Sequence, residues 1–250
     1  MNNIKMSSDL RLFLRLIPED EKENITMFYN ECIDRDYKEF DNIEMALMDI
    51  DNGYKYKYDD MEILSYFSGF EYSRINAAAR DKWYYQRHGN INDKPKYEKI
   101  VREITEAIDK NQNSVGNIKV FRGVDLSYFS EYGISSLEDL EGLNGGFLLD
   151  EGFVSTSLIE DNCFYRKTNN LGLNYNVKIE YLVPEEFGDG VALGYFSHHP
   201  DECEYLINSY NMAQVVDVNK DGVDGAVIQA MLIPKYVYDK AYRNQTEVVK

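Results

Sequence analysis

The chain has 250 residues, of which 44% are hydrophobic, and it carries a formal net charge of -17. This length allows one large domain or two small ones. The charge argues against nucleic acids and anionic membrane surfaces as partners, because no basic surplus exists to bind them. The three cysteines, at positions 32, 163 and 203, are widely spaced, which fits a reducing compartment or a fold that needs no disulfide.

The N-terminal residues lack the apolar segment of a signal peptide, and no apolar run in the sequence is long enough to span a membrane. We therefore expect a cytoplasmic protein, or one that is secreted by a signal-independent route and acts in the cytosol of a target cell.

Residues 1–110 have the apolar spacing of successive helices. Apolar residues are dense in residues 8–17, and Pro18 ends or restarts a helical pattern that continues to residue 50. Asn76 lies on a later helix and is either a buried hydrogen-bonding residue or an exposed one. The further predicted helices, each with apolar residues three and four apart, are residues 59–68, 71–80 and 96–110.

After residue 111, short strand patterns replace the helices. The predicted strands are residues 117–123, 152–157, 176–183, 191–196, 202–207, 213–218 and 226–232. Helices first and strands second favour an α+β fold with antiparallel sheets over a doubly wound parallel sheet. We expect a single domain over residues 1–250, with a helical part to residue 110 and a mainly β core from residue 111.

Two motifs resemble metal sites, but each has a simpler explanation. Residues 217–225 begin like a calcium loop, but Ile228 occupies the position where a bidentate glutamate is required. A tight hairpin turn explains that segment better. His198 and His199 have no third ligand nearby, so we expect them to face solvent and we predict no metal.

Glu202 and Glu204 stand at the start of an apolar run. In a strand, residues two apart point to the same face, so the two carboxylates would repel each other and raise the pKa of one of them. That arrangement costs stability and suggests a functional site. On the pair alone, a solvated acidic strand end is the simpler explanation.

Three short segments, in this order, point more clearly to a function. They are Phe121-Arg122-Gly123, Ser155-Thr156-Ser157 and Glu202-Cys203-Glu204. Together they resemble the Arg-Ser-Glu branch of the mono-ADP-ribosyltransferases, in particular the bacterial exoenzyme group that includes actin-modifying toxins. The resemblance covers about residues 62–234. Taken singly, the same residues are typical of an exposed arginine, a turn glycine and strand hydroxyl groups.

The resemblance implies that NAD is the substrate and binds in a cleft between two packed, mainly antiparallel sheets. Arg122 would bind the NAD phosphates through its guanidinium. The backbone at Gly123 would hold the nicotinamide amide. Ser155 would orient Glu204 through a hydrogen bond.

A loop at residues 164–166 matches the phosphate–nicotinamide loop of the family. Phe164 would stack on the nicotinamide and Arg166 would contact a phosphate, although ordinary loop packing explains both residues equally well. The other predicted NAD-binding residues are Thr156, Ser157 and Asn76.

The resemblance also assigns the catalytic roles. Glu204 would stabilise the positive charge that develops on the ribose as the nicotinamide–ribose bond breaks. The family has a glutamate two residues earlier when the acceptor is arginine, and a glutamine when it is asparagine. Glu202 therefore implies an acceptor arginine, whose guanidinium it would orient and deprotonate.

Residues 195–201 would recognise the target protein, for which actin is the choice at the level of the family. Residues 1–60 would dock a delivery partner or complete the fold.

The sequence thus predicts a protein-arginine ADP-ribosyltransferase. Its alternatives are an NAD glycohydrolase with water as acceptor and a non-catalytic interaction domain that retains the fold. Glu202 disfavours transfer to asparagine, and the net charge disfavours transfer to nucleic acid.

Overall fold

The computed structural model describes residues 17, 19–53, 56–80, 91–111, 116–167 and 174–238. The helical pattern predicted for residues 8–16 lies outside the described residues. The helices are α1 (Glu19–Cys32), α2 (Ile43–Gly53), α3 (Tyr58–Ser68), α4 (Tyr72–Ala79), α5 (Lys94–Lys110) and the short α6 (Lys235–Tyr238). In the described part of the chain, no helix is long and apolar enough to cross a membrane.

The strands follow the helices, as the sequence predicts. They are β1 (Ile118–Val124), β2 (Phe147–Asp150), β3 (Val154–Ser157), β4 (Val177–Val183), β5 (Gly190–Ala192), β6 (Glu204–Ile207), β7 (Asn211–Lys220) and β8 (Ala226–Ile233). Their order across the sheet is β2-β7-β8-β4-β1-β3-β6-β5. All neighbours are antiparallel except β4 and β8, which are parallel. The predicted α+β fold with mainly antiparallel strands is confirmed.

The eight strands form two parts that meet at one narrow junction. Strands β2, β7, β8, β4 and β1 form one part, and β3, β6 and β5 form the other. Between β1 and β3 the register contains a single residue pair, Phe121 opposite Ser157. The two sheets predicted from the sequence are therefore joined into one at this junction, which we call the sheet seam.

The helices cover both faces of the sheet. Successive strand residues point to opposite sides, so each strand contributes apolar side chains to both faces. On β8, Ile228, Ala230 and Leu232 belong to the main core with α2 to α5. Met231 and Ile233, which alternate with them, pack against α1 and α6. Burial of each large apolar side chain contributes about 1.5–3 kcal/mol.

The described part of residues 1–60 is built into this core. Ile25 and Phe28 of α1 are buried against the sheet, and Ala46 and Leu47 of α2 are buried in the main core. Two roles were predicted for this segment, docking of a delivery partner and completion of the fold. These contacts are those of a segment that completes the fold.

Two predicted elements differ from the structure. The strand predicted at residues 191–196 ends at Ala192, and a 3-10 turn follows at Gly194–Phe196. Glu202 was expected at the start of a strand, but it ends the 3-10 turn Pro200–Glu202, and β6 begins only at Glu204. The hairpin predicted around residues 217–225 is confirmed, since β7 and β8 pair through Lys220 and Ala226.

Candidate active site

A cavity of about 700 Å³ opens at the sheet seam, where β1, β3 and β6 meet. Its size is in the range of small-molecule and cofactor sites. The turn between α3 and α4 and the loops after β3 and before β6 complete its walls. The predicted site residues that line it are Asn76, Arg122, Gly123, Ser155, Thr156, Ser157, Phe164, Glu202 and Glu204.

Arg166 is the predicted site residue that does not line this cavity. Its guanidinium lies 2.9 Å from the carboxylate of Asp221, in the turn between β7 and β8. A carboxylate partner at this distance takes up part of the arginine's hydrogen-bonding capacity.

Glu204 is the buried acid of the cavity. It is 4% exposed, at the first position of β6, opposite Ser157 of β3. The pKa of Glu204 is raised to about 7: burial raises it most, a hydrogen bond from Ser155 lowers it, and the nearby charge of Glu202 raises it. Burial is therefore a larger cause of the shift than the repulsion predicted from the sequence. Ser155 does contact Glu204, as predicted.

A left-handed residue brings Glu202 to the same cavity. Cys203 has φ 44° and ψ 54°, so the chain turns sharply between Glu202 and Glu204. The two carboxylates share a cavity because of this turn, and the strand alternation predicted from the sequence is not the cause. Glu202 is half-buried, and burial raises its pKa, while the charge of His199 lowers it.

The backbone around this turn is firmly held. The hydroxyl of Ser157 lies 2.7 Å from the carbonyl oxygen of Glu202 and accepts from the amide of Ile159 at 3.0 Å. Thr156 donates to the carbonyl of Tyr205 at 2.6 Å. These hydroxyl groups therefore fix β3 to β6 and hold the backbone that carries both glutamates.

Arg122 takes part in a partly buried charge cluster around the buried Asp150. Its Nη1 lies 3.4 Å from one carboxylate oxygen of Asp150, and Nη2 of Arg80 lies 2.7 Å from the other. Tyr128 and the amide of Gly152 also donate to Asp150, at 3.1 and 3.0 Å. With two guanidinium groups on one carboxylate, the cluster has a surplus positive charge beside the cavity.

The pKa values of Arg122 and Asp150 indicate that both side chains stay ionised. Burial lowers the pKa of Arg122, but its electrostatic interactions with Tyr128 and Asp150 outweigh burial and raise the pKa overall. Burial likewise raises the pKa of Asp150, and the two arginines outweigh it, so that this pKa lies below its usual value. The guanidinium of Arg122 thus remains available to a phosphate as a charged donor.

Asn76 has a defined partner. Its side-chain oxygen accepts from the amide of Phe153 at 2.8 Å, which ties α4 to the residue just before β3. Of the two alternatives for Asn76, the hydrogen-bonding role is the one seen.

The loop before β6 is tied in a similar way, because the amide of His198 donates to Ser68 of α3 at 2.9 Å. The side chains of His198 and His199 are exposed, as predicted.

Among the described residues, no group of three or more histidine, cysteine, aspartate or glutamate side chains could hold a metal ion. The cavity brings together a charged arginine, a buried carboxylate with a hydroxyl partner, and a second carboxylate nearer to solvent. That set can bind phosphate and stabilise a developing positive charge.

Comparison with known proteins identifies the family. The sequence model described as ADP-ribosyltransferase exoenzyme matches residues 38–235. The chain belongs to the ADP-ribosyltransferase exoenzyme family. It is an ADP-ribosyltransferase with NAD as its substrate, and the resemblance read from its three motifs is confirmed. No curated protein sequence matches the chain.

Solved structures share the transferase fold. The C3 exoenzyme of Clostridium limosum is 19% identical, with a TM-score of 0.62 over 80% of this chain and 98% of that one. C3stau2 of S. aureus, solved with NAD, is 17% identical, with a TM-score of 0.64 over 80% and 100% of the two chains. Vis of Vibrio splendidus, solved with agmatine, is 15% identical, with a TM-score of 0.56 over 79% and 87%.

Three residues of the transferase's charge cluster escaped the sequence analysis: Arg80, Tyr128 and Asp150. Asp150 ends an apolar strand segment, and an acid in that position was the one available signal. Arg80 lies 70 residues from Asp150, so no local pattern could connect them. A buried acid with several donors is recognisable only once the strands have been placed in the sheet.

Gly123 of the transferase is required by a close approach of two chain segments. A Cβ atom at this position would lie 2.3 Å from the amide nitrogen of Tyr165 and 2.5 Å from the carbonyl carbon of Phe164. Real Cβ atoms do not make such contacts, so any side chain here would displace the loop that carries Phe164. The sequence predicted a close approach to a ligand, and the structure shows an approach by this loop.

We expect Gly123→Ala to weaken NAD binding about tenfold and to lower the free energy of unfolding by about 1–3 kcal/mol, because the added methyl group pushes the loop out of place. Calorimetric titration with NAD and urea denaturation measure the two effects. Gly145→Ala is the matched control: φ is +70° there, and among the described residues nothing lies within 4 Å of the added methyl. It should cost stability but leave NAD affinity unchanged. Equal NAD affinities of the two variants would contradict the steric explanation.

Proposed function

We propose that this transferase moves ADP-ribose from NAD to the guanidinium of an arginine on a target protein and releases nicotinamide. The observation that carries this proposal is the pairing of two carboxylates in one cavity. Glu204 is buried and hydrogen-bonded to Ser155, and Glu202 lies nearer to solvent. One carboxylate can serve the donor and the other the acceptor.

The donor half of the reaction needs phosphate binding and charge stabilisation. We propose that Arg122 binds the diphosphate, with Asp150 and Arg80 fixing its position. As the bond between the ribose and nicotinamide breaks, its electron pair leaves with the nicotinamide, which becomes neutral, and positive charge develops on the ribose. The Glu204 carboxylate stabilises that charge from a buried position, where a fixed charge is most effective.

The acceptor half needs a base, because a free guanidinium stays protonated and is not nucleophilic. Glu202 carries a carboxylate rather than an amide, and its backbone is held by Ser157. We propose that this carboxylate orients the guanidinium and takes a proton from the attacking nitrogen as the new bond to the ribose forms. Vis, a relative in fold, was solved with agmatine, a small guanidinium compound, and this supports agmatine as a test acceptor.

The pH dependence of the donor half follows from the pKa of about 7 at Glu204. The ionised carboxylate is the active form, so its population falls as the pH drops below the pKa. We expect the rate of NAD hydrolysis without acceptor to fall about tenfold per pH unit below about pH 7 and to level off above it. Initial rates in buffers of constant ionic strength measure the profile. A rate that stays constant down to about pH 5 would contradict this role of Glu204.

We propose that the target protein docks on the loop at residues 195–201. Tyr195 is 62% exposed there, and the loop leads directly to Glu202. Phe70, at the turn between α3 and α4, lines the same cavity and is fully exposed. Exposed aromatic side chains beside an active-site opening are typical of a surface that contacts protein. Actin stays a prediction from the family, as does action in a target-cell cytosol.

A delivery partner that binds through residues 1–60 also stays a prediction. On the described part of this segment, Met27 and Met48 are 62% and 63% exposed. Two exposed methionines give such a partner some apolar surface, since methionine is common at adaptable binding surfaces.

The test of the proposed function uses the purified protein with labelled NAD. Agmatine, a eukaryotic lysate and a bacterial lysate serve as acceptors, and mass spectrometry locates the modified residue. ADP-ribosyl-agmatine together with one labelled protein band carrying ADP-ribose on arginine supports the proposal. NAD consumption with neither product would support the NAD glycohydrolase. NAD left intact under all conditions would support the non-catalytic interaction domain.

A further inference from the structure

The loop that carries Phe164 is attached on its outer side to the turn between β7 and β8. The hydroxyl of Tyr165 donates to a carboxylate oxygen of Asp221 at 2.5 Å. Nη2 of Arg166 lies 2.9 Å from the same carboxylate oxygen and 3.1 Å from the carbonyl oxygen of Asp221. One acidic residue in a distant turn therefore binds two consecutive residues of the cavity loop.

On its inner side, the loop rests on the strand that carries Arg122. Its backbone at Tyr165 lies so close to Gly123 that a Cβ atom there would clash. The amino group of Lys178 lies 5.8 Å from the centre of the Tyr165 ring. Tyr165 is thus held between β1, β4 and the β7–β8 turn, while the neighbouring Phe164 is 50% exposed and lines the cavity.

The backbone of the loop shows why an anchor is needed. Arg166 has φ 58°, in the left-handed region, which is strained for a residue with a side chain. Such a conformation persists only where surrounding contacts determine it. The amide of Arg166 donates to Tyr175 at 2.6 Å, and the amide of Lys167 donates to Phe164 at 3.1 Å. The side-chain contacts to Asp221 are the third constraint on this turn.

We propose that Asp221 is a positioning residue for NAD, which acts through Tyr165 and Arg166 to keep Phe164 over the cavity. This inference rests on the proposed role of Phe164 at the nicotinamide. The β7–β8 turn itself lies outside the cavity and touches no reacting group. Its carboxylate would act on NAD affinity by limiting the conformations of the loop before NAD arrives.

The experiment compares Asp221→Asn with Asp224→Asn. Both remove one negative charge from the same turn, but Asp224 is exposed and its amide variant keeps the contacts of Asp221. We expect Asp221→Asn to raise the Kd for NAD about tenfold, because it weakens two charge-assisted hydrogen bonds. We expect Asp224→Asn to leave the Kd unchanged. Calorimetry measures the Kd, and nicotinamide release without acceptor gives KM and kcat.

A second variant separates positioning from general destabilisation. Tyr165→Phe removes one of the two contacts to Asp221 without changing any charge, and we expect it to raise the Kd for NAD by a smaller factor. Because both variants act on one contact, the double variant should cost less than the product of the two factors. In all these variants, kcat should stay within about twofold of the wild type, since no reacting group is altered.

Two results would overturn the proposal. One is an Asp221→Asn variant that binds NAD as tightly as Asp224→Asn does. The other is a variant that lowers kcat and thermal stability at unchanged NAD affinity, which would make Asp221 a merely structural residue. Failure of the proposed function has a different signature, because the wild type would then bind NAD but form no ADP-ribosyl-agmatine. The Kd comparison remains decisive for Asp221 in that case.

Discussion

Glu204→Gln is expected to lower the rate of nicotinamide release about a thousandfold, both with water and with agmatine as acceptor. The glutamine has the same shape and can still accept a hydrogen bond from Ser155, but it carries no charge to stabilise the ribose cation. The loss should therefore appear in kcat and leave the Kd for NAD within a few fold of the wild type. Nicotinamide release followed by chromatography measures the first quantity, and calorimetry measures the second.

The same substitution should make the fold more stable at alkaline pH. Because burial raises the pKa of Glu204 from 4.5 to about 7, the folded state binds a proton more tightly than the unfolded state does. Stability linked to this group is thus present at low pH and is lost as the pH rises from about 4.5 to about 7. At about pH 8, Glu204→Gln should gain about 3 kcal/mol in the free energy of unfolding.

Asp201→Asn is the control for both effects. Asp201 is exposed in the adjacent turn, so its amide variant should change neither the rate nor the stability appreciably. A Glu204→Gln enzyme that keeps the wild-type rate would refute the catalytic assignment. Lost activity together with a lower thermal stability at about pH 8 would instead show that the glutamine disturbs the cavity.

Glu202→Gln is expected to separate the two halves of the reaction. Transfer to agmatine should fall about a hundredfold, because the amide cannot take the proton from the guanidinium. Hydrolysis of NAD should stay within about threefold of the wild type, because Glu204 and Arg122 still act on the donor. The ratio of ADP-ribosyl-agmatine to free ADP-ribose, measured by chromatography, reports the separation directly.

Two outcomes would contradict the proposed transfer to arginine. If Glu202→Gln modifies agmatine at the wild-type rate, Glu202 is not the acceptor base. If the wild type labels a protein band on asparagine rather than on arginine, the acceptor assignment is wrong even though the donor chemistry stands. Asp201→Asn again provides the matched control, since it removes a charge one residue away from Glu202.

The sequence was sufficient for the fold class, and every predicted site residue except Arg166 lines the cavity. Arg122, Ser155 and Glu204 lie on strands that the apolar patterns predict, and these strands are neighbours in the sheet. The three residues come from strands that are adjacent in the sheet, so the order of their motifs along the chain was enough to predict that they share one site. The apolar periodicity predicted the strands, and the family resemblance predicted that these strands lie side by side.

The sequence was insufficient where tertiary contacts decide the local conformation. The left-handed turn at Cys203 could not be read from the sequence, since cysteine has no preference for that region. Arginine has a long side chain that can reach several partners. Arg166 pairs with Asp221 because the β7–β8 hairpin, 55 residues away in sequence, lies beside it. Two partners of Asp150 are also distant in sequence, since Arg122 lies 28 residues away and Arg80 lies 70 residues away. Long-range pairs of charges leave no periodic signal in a single sequence.

The sheet seam has a consequence for how the substrate and the fold support each other. Arg122 lies on one part of the sheet, and Ser155 and Glu204 lie on the other, with a single backbone pair between the two parts. An NAD molecule held by residues of both parts would bridge them as an additional cross-link. A ligand that binds the folded state and not the unfolded state stabilises the fold by mass action. Bound NAD would thus stabilise the junction at which the sheet has the fewest backbone pairs.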